Sequence, residues 1–155
     1  SPVALNQLPG NYYLVFNHGG HLGAMTLNSM SLSGTASLID LTNGSTPMYG
    51  TNTLRIDNGY YMLWSGDVDG NNTIRFSGTA NDANSLKDLI LNASGNVLNL
   101  LTYNYAGYHT GDVNMNGAAR FSGTDNDANV IKDLVLNHPG NILNFLTYTI
   151  TEQLP

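Results

Sequence analysis

The chain has 155 residues, 41% apolar and 10% charged, with a formal net charge of −6 and no cysteine. The length allows one domain or two small ones with a real core. Five cations (Arg55, Arg75, Lys87, Arg120, Lys132) are too few for a nucleic-acid or anionic-membrane surface, and the missing thiols exclude disulfides and cysteine-bound zinc.

Residues 1–65 read as an antiparallel β region. Strand-like runs occur at 12–17 (YYLVFN), 25–32, 36–41 and 60–64. Turn pairs Gly19-Gly20, Asn43-Gly44 and Asn58-Gly59 separate them, and their residues tolerate positive φ. Four or five strands are thin for a sandwich. The expected sandwich-like sheet therefore needs an edge or face covered by another part of the chain or by another chain. The opening segment SPVALNQLPG could pair elsewhere. His18 and His21, in NHGGHLG, read first as exposed imidazoles on a turn and second as a metal contact. Trp64 and the nine tyrosines read as core before sugar-stacking platform.

Residues 66–155 are dominated by a duplication. Segments 66–105 and 111–150 align without a gap at an offset of 45, with 25 of 40 positions identical. Each opens with an Asn/Asp-rich loop, GDVDGNNTI or GDVNMNGAA, and continues into an amphipathic helix, expected at 83–92 and 128–137. Leu86, Leu89 and Ile90 share a face, as do Ile131, Leu134 and Val135. Asp82 and Asp127 stand where they could cap these helices. The apolar stretches 97–105 and 142–150 read as extended.

Oxygen side chains on alternate residues suit a hard cation such as calcium. With Asp67 as position 1, Asp69 is position 3, Asn71 position 5, and Thr73 offers its carbonyl at position 7. The second copy supplies Asp112, Asn114, Asn116 and the carbonyl of Ala118. Asn72 and Gly117 occupy position 6, where such a loop turns sharply. Position 12, where a carboxylate would close the sphere of an EF-hand, is Gly78 or Gly123. The next acids, Asp82 and Asp127, become the expected closing ligands, with Asn81 and Asn126 as secondary candidates. Two calcium ions are expected. The first loop has three candidate carboxylate ligands against two in the second, so it should bind more tightly. Asp/Asn-Gly stretches also simply make turns, and the duplication of ligand types and spacing is what weighs against that reading. The only Glu is Glu152, and no paired catalytic carboxylates, nucleophile elbow or phosphate loop is present, so the chain reads as a non-enzyme.

The two loops and their helices resemble dockerin-type calcium repeats through position 8, and depart from them at position 12 and in the longer period. A wider resemblance runs through NYYLVFNHGGHLGAMT, YGTN, YYMLWSGDVDG, GDVNMNG and TEQLP. It is to the C-terminal module of large secreted bacterial surface proteins, in which a β segment leads into a calcium repeat pair. The resemblance implies an extracellular or cell-surface location, calcium, a non-catalytic role and further strands upstream of Ser1. With no signal-like run, and Ser-Pro at its start, the chain reads as a processed product or part of a longer protein. The expected fold is α+β. The expected role is a structural or adhesive module, possible partners being copies of itself or another surface protein. A carbohydrate-binding module recognising a glycan and a dockerin-like adaptor are the alternatives.

Overall fold

A computed structural model describes residues 7–35 and 38–155. The chain is mixed α and β, compatible with α+β, and divides into two compact units. One comprises Ser1–Phe16, Gly23–Leu63 and Gln153–Pro155; the other comprises Asn17–Leu22 and Trp64–Glu152.

In the first unit, β1 (Gly10–Tyr12) pairs antiparallel with β4 (Met30–Leu32), and β2 (Val15–Phe16) with β3 (Ala24–Met25). The longest ladder is the hairpin of β5 (Leu54–Asp57) and β6 (Tyr60–Leu63). Its turn puts Asn58 at φ 49° and Gly59 at φ 83°, the pair of positive φ values that lets a two-residue turn follow strand twist. These ladders are two-stranded and form no defined sandwich among the described residues. The reason lies in burial. Ala24 is the only buried hydrophobic side chain described in this unit, while Tyr13, Val15, Ile56 and Tyr60 are exposed. Two-stranded ladders without an apolar face are marginal in water. Of the strand expected at 36–41, residues 36 and 37 lie outside the described residues, and 38–41 form no strand. Residues 1–6 of the opening segment also lie outside them.

The second unit holds a continuous core. Helices α1 (Asp82–Leu91) and α2 (Asp127–Leu136) face each other through Leu86 and Ile90, and through Ile131, Leu134 and Val135. Leu22, Trp64, Val68, Ile74, Val113, Ala119, Ala128 and Ile150 complete the cluster. Each helix is about three turns long and would be unstable alone, so this packing is what supports it.

The two halves close each other reciprocally. Strand β7 (Thr73–Ile74), in the first loop, pairs with β10 (Ile150–Thr151), at the end of the second half. Strand β8 (Tyr105–Ala106), at the end of the first half, pairs with β9 (Ala118–Ala119), in the second loop. Side chains repeat the exchange: Ser77 Oγ donates to the Leu146 carbonyl at 2.8 Å and Ser122 Oγ to that of Leu101 at 2.9 Å.

Segments 97–105 and 142–150 are mostly successive turns rather than extended chain. A buried asparagine dictates this. Asn96 Nδ2 donates to the carbonyls of Ile90 (2.8 Å) and Leu100 (2.9 Å), and its Oδ1 accepts the Leu100 N–H (2.8 Å). Asn141 does the same with Val135 and Phe145. The side chain thus stands in for a strand partner, and the chain curls around it.

The 17–22 segment is fastened to the start of the first loop. The Gly20 carbonyl accepts the N–H groups of Gly66 (2.8 Å) and Asp67 (3.2 Å), and Leu22 N–H donates to Trp64 O at 2.9 Å. Gly20 sits at φ 77°, and a Cβ there would lie 2.8 Å from the Thr110 carbonyl oxygen. Gly20→Ala should therefore destabilise the protein by about 2 kcal/mol, combining left-handed strain with that overlap. Urea unfolding checks this, and an unchanged midpoint would contradict it.

Candidate metal centre

The loop from Asp67 to Asp82 is shaped by its own side-chain oxygens. Asp67 Oδ1 accepts the Asn71 N–H (2.9 Å) and Oδ2 the Asn72 N–H (3.1 Å). Asp69 Oδ1 accepts from Asn71 N–H at 3.2 Å, and Asn71 Oδ1 from Thr73 N–H at 2.9 Å. The Asp69 and Asn71 contacts are Asx turns, in which a short side-chain oxygen accepts the N–H two residues on, while Asp67 reaches further around the loop. Asn72 takes φ 64° and Gly117 φ 87°, the sharp bend expected at position 6.

The caps differ from expectation. Asn81 Oδ1 accepts the Asn84 N–H at 2.9 Å and Asn81 Nδ2 donates to Gly78 O, and Asn126 repeats the arrangement with Asn129 and Gly123. The secondary ligand candidates Asn81 and Asn126 are thus occupied as helix caps. Asp82 and Asp127 are the first residues of their helices and turn into the loops instead. Asp82 Oδ1 accepts the Val68 N–H (2.8 Å) and Oδ2 the Arg75 N–H (2.7 Å), pinning both limbs of the loop.

Asp67, Asp69 and Asp82 each bring a carboxylate oxygen within 4.8 Å of the others, a grouping that could hold a metal ion. Asp67 and Asp82 are buried and Asp69 is exposed, so the group opens to solvent on one side. No ion pair among the described residues involves any of the three. The nearby Arg75 guanidinium donates Nη1 to the Thr79 carbonyl rather than to a carboxylate. Burial raises the Asp67 pKa. It pushes Asp82 up to about 6, with Asp69 and Asp67 adding repulsion and the Arg75 and Val68 amides opposing the rise. Asn71 lies exposed beside the three carboxylates, and Thr73 is half-buried in β7.

The second loop repeats the scaffold with less charge. Asp112 accepts the N–H groups of Asn116 (3.0 Å) and Gly117 (2.9 Å). Asn114 Oδ1 accepts from Asn116 N–H, and Asn116 Oδ1 from Ala118 N–H, both at 3.1 Å. Asp127 accepts from Val113 (2.8 Å), Asn114 (3.2 Å) and Arg120 (2.8 Å), and burial raises its pKa. Asn114 replaces the middle carboxylate. Trp64 is buried, 4.8 Å from the His138 ring, and so belongs to the core rather than to an exposed sugar platform. Sequence reasoning missed the Gly20 carbonyl, which anchors the amide of the first expected ligand, Asp67. The Gly19-Gly20 pair was its only signal.

No protein-family profile, curated protein or solved structure matches this chain. No helix among the described residues is long and apolar enough to cross a membrane.

An unfolded chain ionises the Asp82 carboxyl near 3.8, below its folded value of about 6. Between those values the metal-free fold holds the proton more tightly, so this group stabilises that state as pH falls. A cation needs the carboxylate and has the opposite dependence. Any rise in melting temperature that a divalent cation produces should be full at about pH 7.5 and shrink as pH falls through about 6. Scanning calorimetry with and without an added divalent cation measures it, and an undiminished rise at about pH 5 would show that the Asp82 carboxylate takes no part in holding the ion. Separately, Met115 takes φ 60° where the first loop has Gly70 at φ 72°. Met115→Gly should raise stability by about 1 kcal/mol in chemical denaturation; a loss would show that the Met115 side chain contributes more than its backbone strain costs.

Proposed function

We propose that this chain is a non-catalytic, extracellular calcium-loaded structural or adhesive module, with one calcium ion in each loop. The observation that carries the reading is the convergence of Asp67, Asp69 and Asp82, two of them buried, with no ion-pair partner among the described residues. Buried carboxylates that accept amide bonds but have no opposite charge beside them remain costly, and a divalent cation offsets that cost. The ligands would be Asp67, Asp69, Asn71, the Thr73 carbonyl and Asp82 in one loop. In the other they would be Asp112, Asn114, Asn116, the Ala118 carbonyl and Asp127. Many flexible oxygens suit calcium, with six to eight ligands, better than the tight octahedron of magnesium.

Calorimetric titration should find two calcium ions bound, and no uptake at millimolar concentration would sink the reading. Extracellular sites bind at about 10⁻⁴–10⁻³ M and stay filled. At about 100-fold excess over Kd, one site adds about 2.7 kcal/mol, so EDTA should lower the melting temperature and raise protease sensitivity across 66–150. Asp67→Ala should cost more calcium affinity than Asp112→Ala, because the first loop has the extra carboxylate.

A self-assembling role is supported by two surface features. The first unit has little buried apolar side chain among its described residues, and its ladders are short and two-stranded, the kind of sheet a donated strand can extend. In the second unit, Val97, Leu98, Leu100 and Leu101 are exposed, and so are their counterparts Ile142, Leu143, Phe145 and Leu146. Light scattering in calcium should reveal concentration-dependent oligomers, and a strict monomer at high concentration would reject assembly while leaving the calcium reading intact.

A further inference from the structure

We propose that His18 and His21 form a chelating imidazole clamp for a divalent transition metal of the nickel, copper or zinc class, separate from the oxygen-lined loops. Their Nδ1 atoms lie 3.0 Å apart, with the rings edge to face at 85° and centroids 4.7 Å apart. Two metal–nitrogen bonds of 2.0–2.1 Å, meeting at a right or tetrahedral angle, separate their nitrogens by about 2.8–3.4 Å. The observed spacing falls inside that interval.

The fold sets this spacing in advance. His21 N–H donates to the His18 carbonyl at 3.1 Å and closes the turn. His21 also bridges Ser65, and the Leu22 N–H bonds the Trp64 carbonyl at 2.9 Å. Between the two histidines, the Gly20 carbonyl holds the amides of Gly66 and Asp67. The turn that carries both rings is thus closed between them and fastened on the His21 side, which reduces the ordering that a chelating pair normally needs. His18 is exposed, so an ion can enter from solvent and keep water in its remaining positions.

Without a metal, a proton on His21 Nδ1 can be donated to His18 Nδ1, 3.0 Å away, and to the Gly19 carbonyl, 3.2 Å away. Metal binding needs that proton on Nε2 instead, a change of tautomer with no net charge transferred to the rings. Imidazole suits nickel, copper and zinc, whereas calcium takes oxygen. The clamp and the loops therefore select different ions, and the clamp does not rest on the calcium reading.

The test is calorimetric titration of the full chain with Ni²⁺ in millimolar calcium, which supplies the loops with their own class of ion. One equivalent of nickel should bind. His18→Ala and His21→Ala should each weaken it roughly tenfold or more, because a lone imidazole cannot chelate. His109→Ala should leave it unchanged. Electron paramagnetic resonance of the Cu²⁺-loaded chain should report two imidazole nitrogens, falling to one in either variant. His21→Gln, which keeps a hydrogen-bonding group at the half-buried position, carries the test if His21→Ala lowers the melting temperature. Absence of nickel uptake, or uptake unchanged in the double variant, would overturn the clamp.

Discussion

A buried carboxylate closes each loop of the second unit. Asp82 takes the amides of Val68 and Arg75, seven residues apart, and Asp127 takes those of Val113 and Arg120. In return, the Asp82 amide donates to the Arg75 carbonyl and the Asp127 amide to that of Arg120. One residue thus joins the start of a helix to both limbs of the loop before it. Its freedom to do so depends on the asparagine immediately ahead, which caps the helix in its place. The pin carries a cost, because a carboxylate away from water favours its protonated form. In the first loop the same geometry brings Asp67, Asp69 and Asp82 into a grouping that could hold a metal ion.

The duplicated halves depend on each other in the same way. Neither loop strand finds its partner within its own half. The ladder of Ile74 with Ile150 and that of Tyr105 with Ala119 cross between the halves. Ten-residue helices need such tertiary support, and the shared core of Leu86, Ile90, Ile131 and Val135 supplies it. Pairing in this crossed sense couples the loops, since each one ends in a strand fixed by the far end of the other half.

The first unit follows a different logic. Its residues favour strands, yet the strands stay short and its described residues bury little apolar side chain. Hydrophobic burial is the main favourable term in folding, and here tight turns carry much of the local order. Asp40, for example, gathers the Thr42 amide, the Thr42 hydroxyl and the Asn43 side chain, and these bonds lower its pKa.

Much of the second unit was legible in the residues. The offset of 45 located two equivalent loops, and helical spacing identified Leu86, Ile90, Ile131 and Val135 as the packed face. Alternating oxygens drew attention to Asp67 and Asp69, and the missing carboxylate at position 12 drew it to Asp82 as the next acid along the chain. These are local or periodic properties, carried by neighbours along the chain. The sequence did not reveal that Asn81 and Asn126 cap the helices, because Asn and Asp are near-equal caps and only the course of the chain decides between adjacent residues. Nor did it reveal that 97–105 and 142–150 curl. Their composition suits strands, and the buried amides of Asn96 and Asn141 override it through contacts with preceding helices. The crossed strand pairing, the Gly20 anchor and the meeting of the His18 and His21 rings were likewise settled by tertiary structure. Composition and periodicity record what a residue prefers, whereas a hydrogen bond across distant segments exists only once the chain has brought them together.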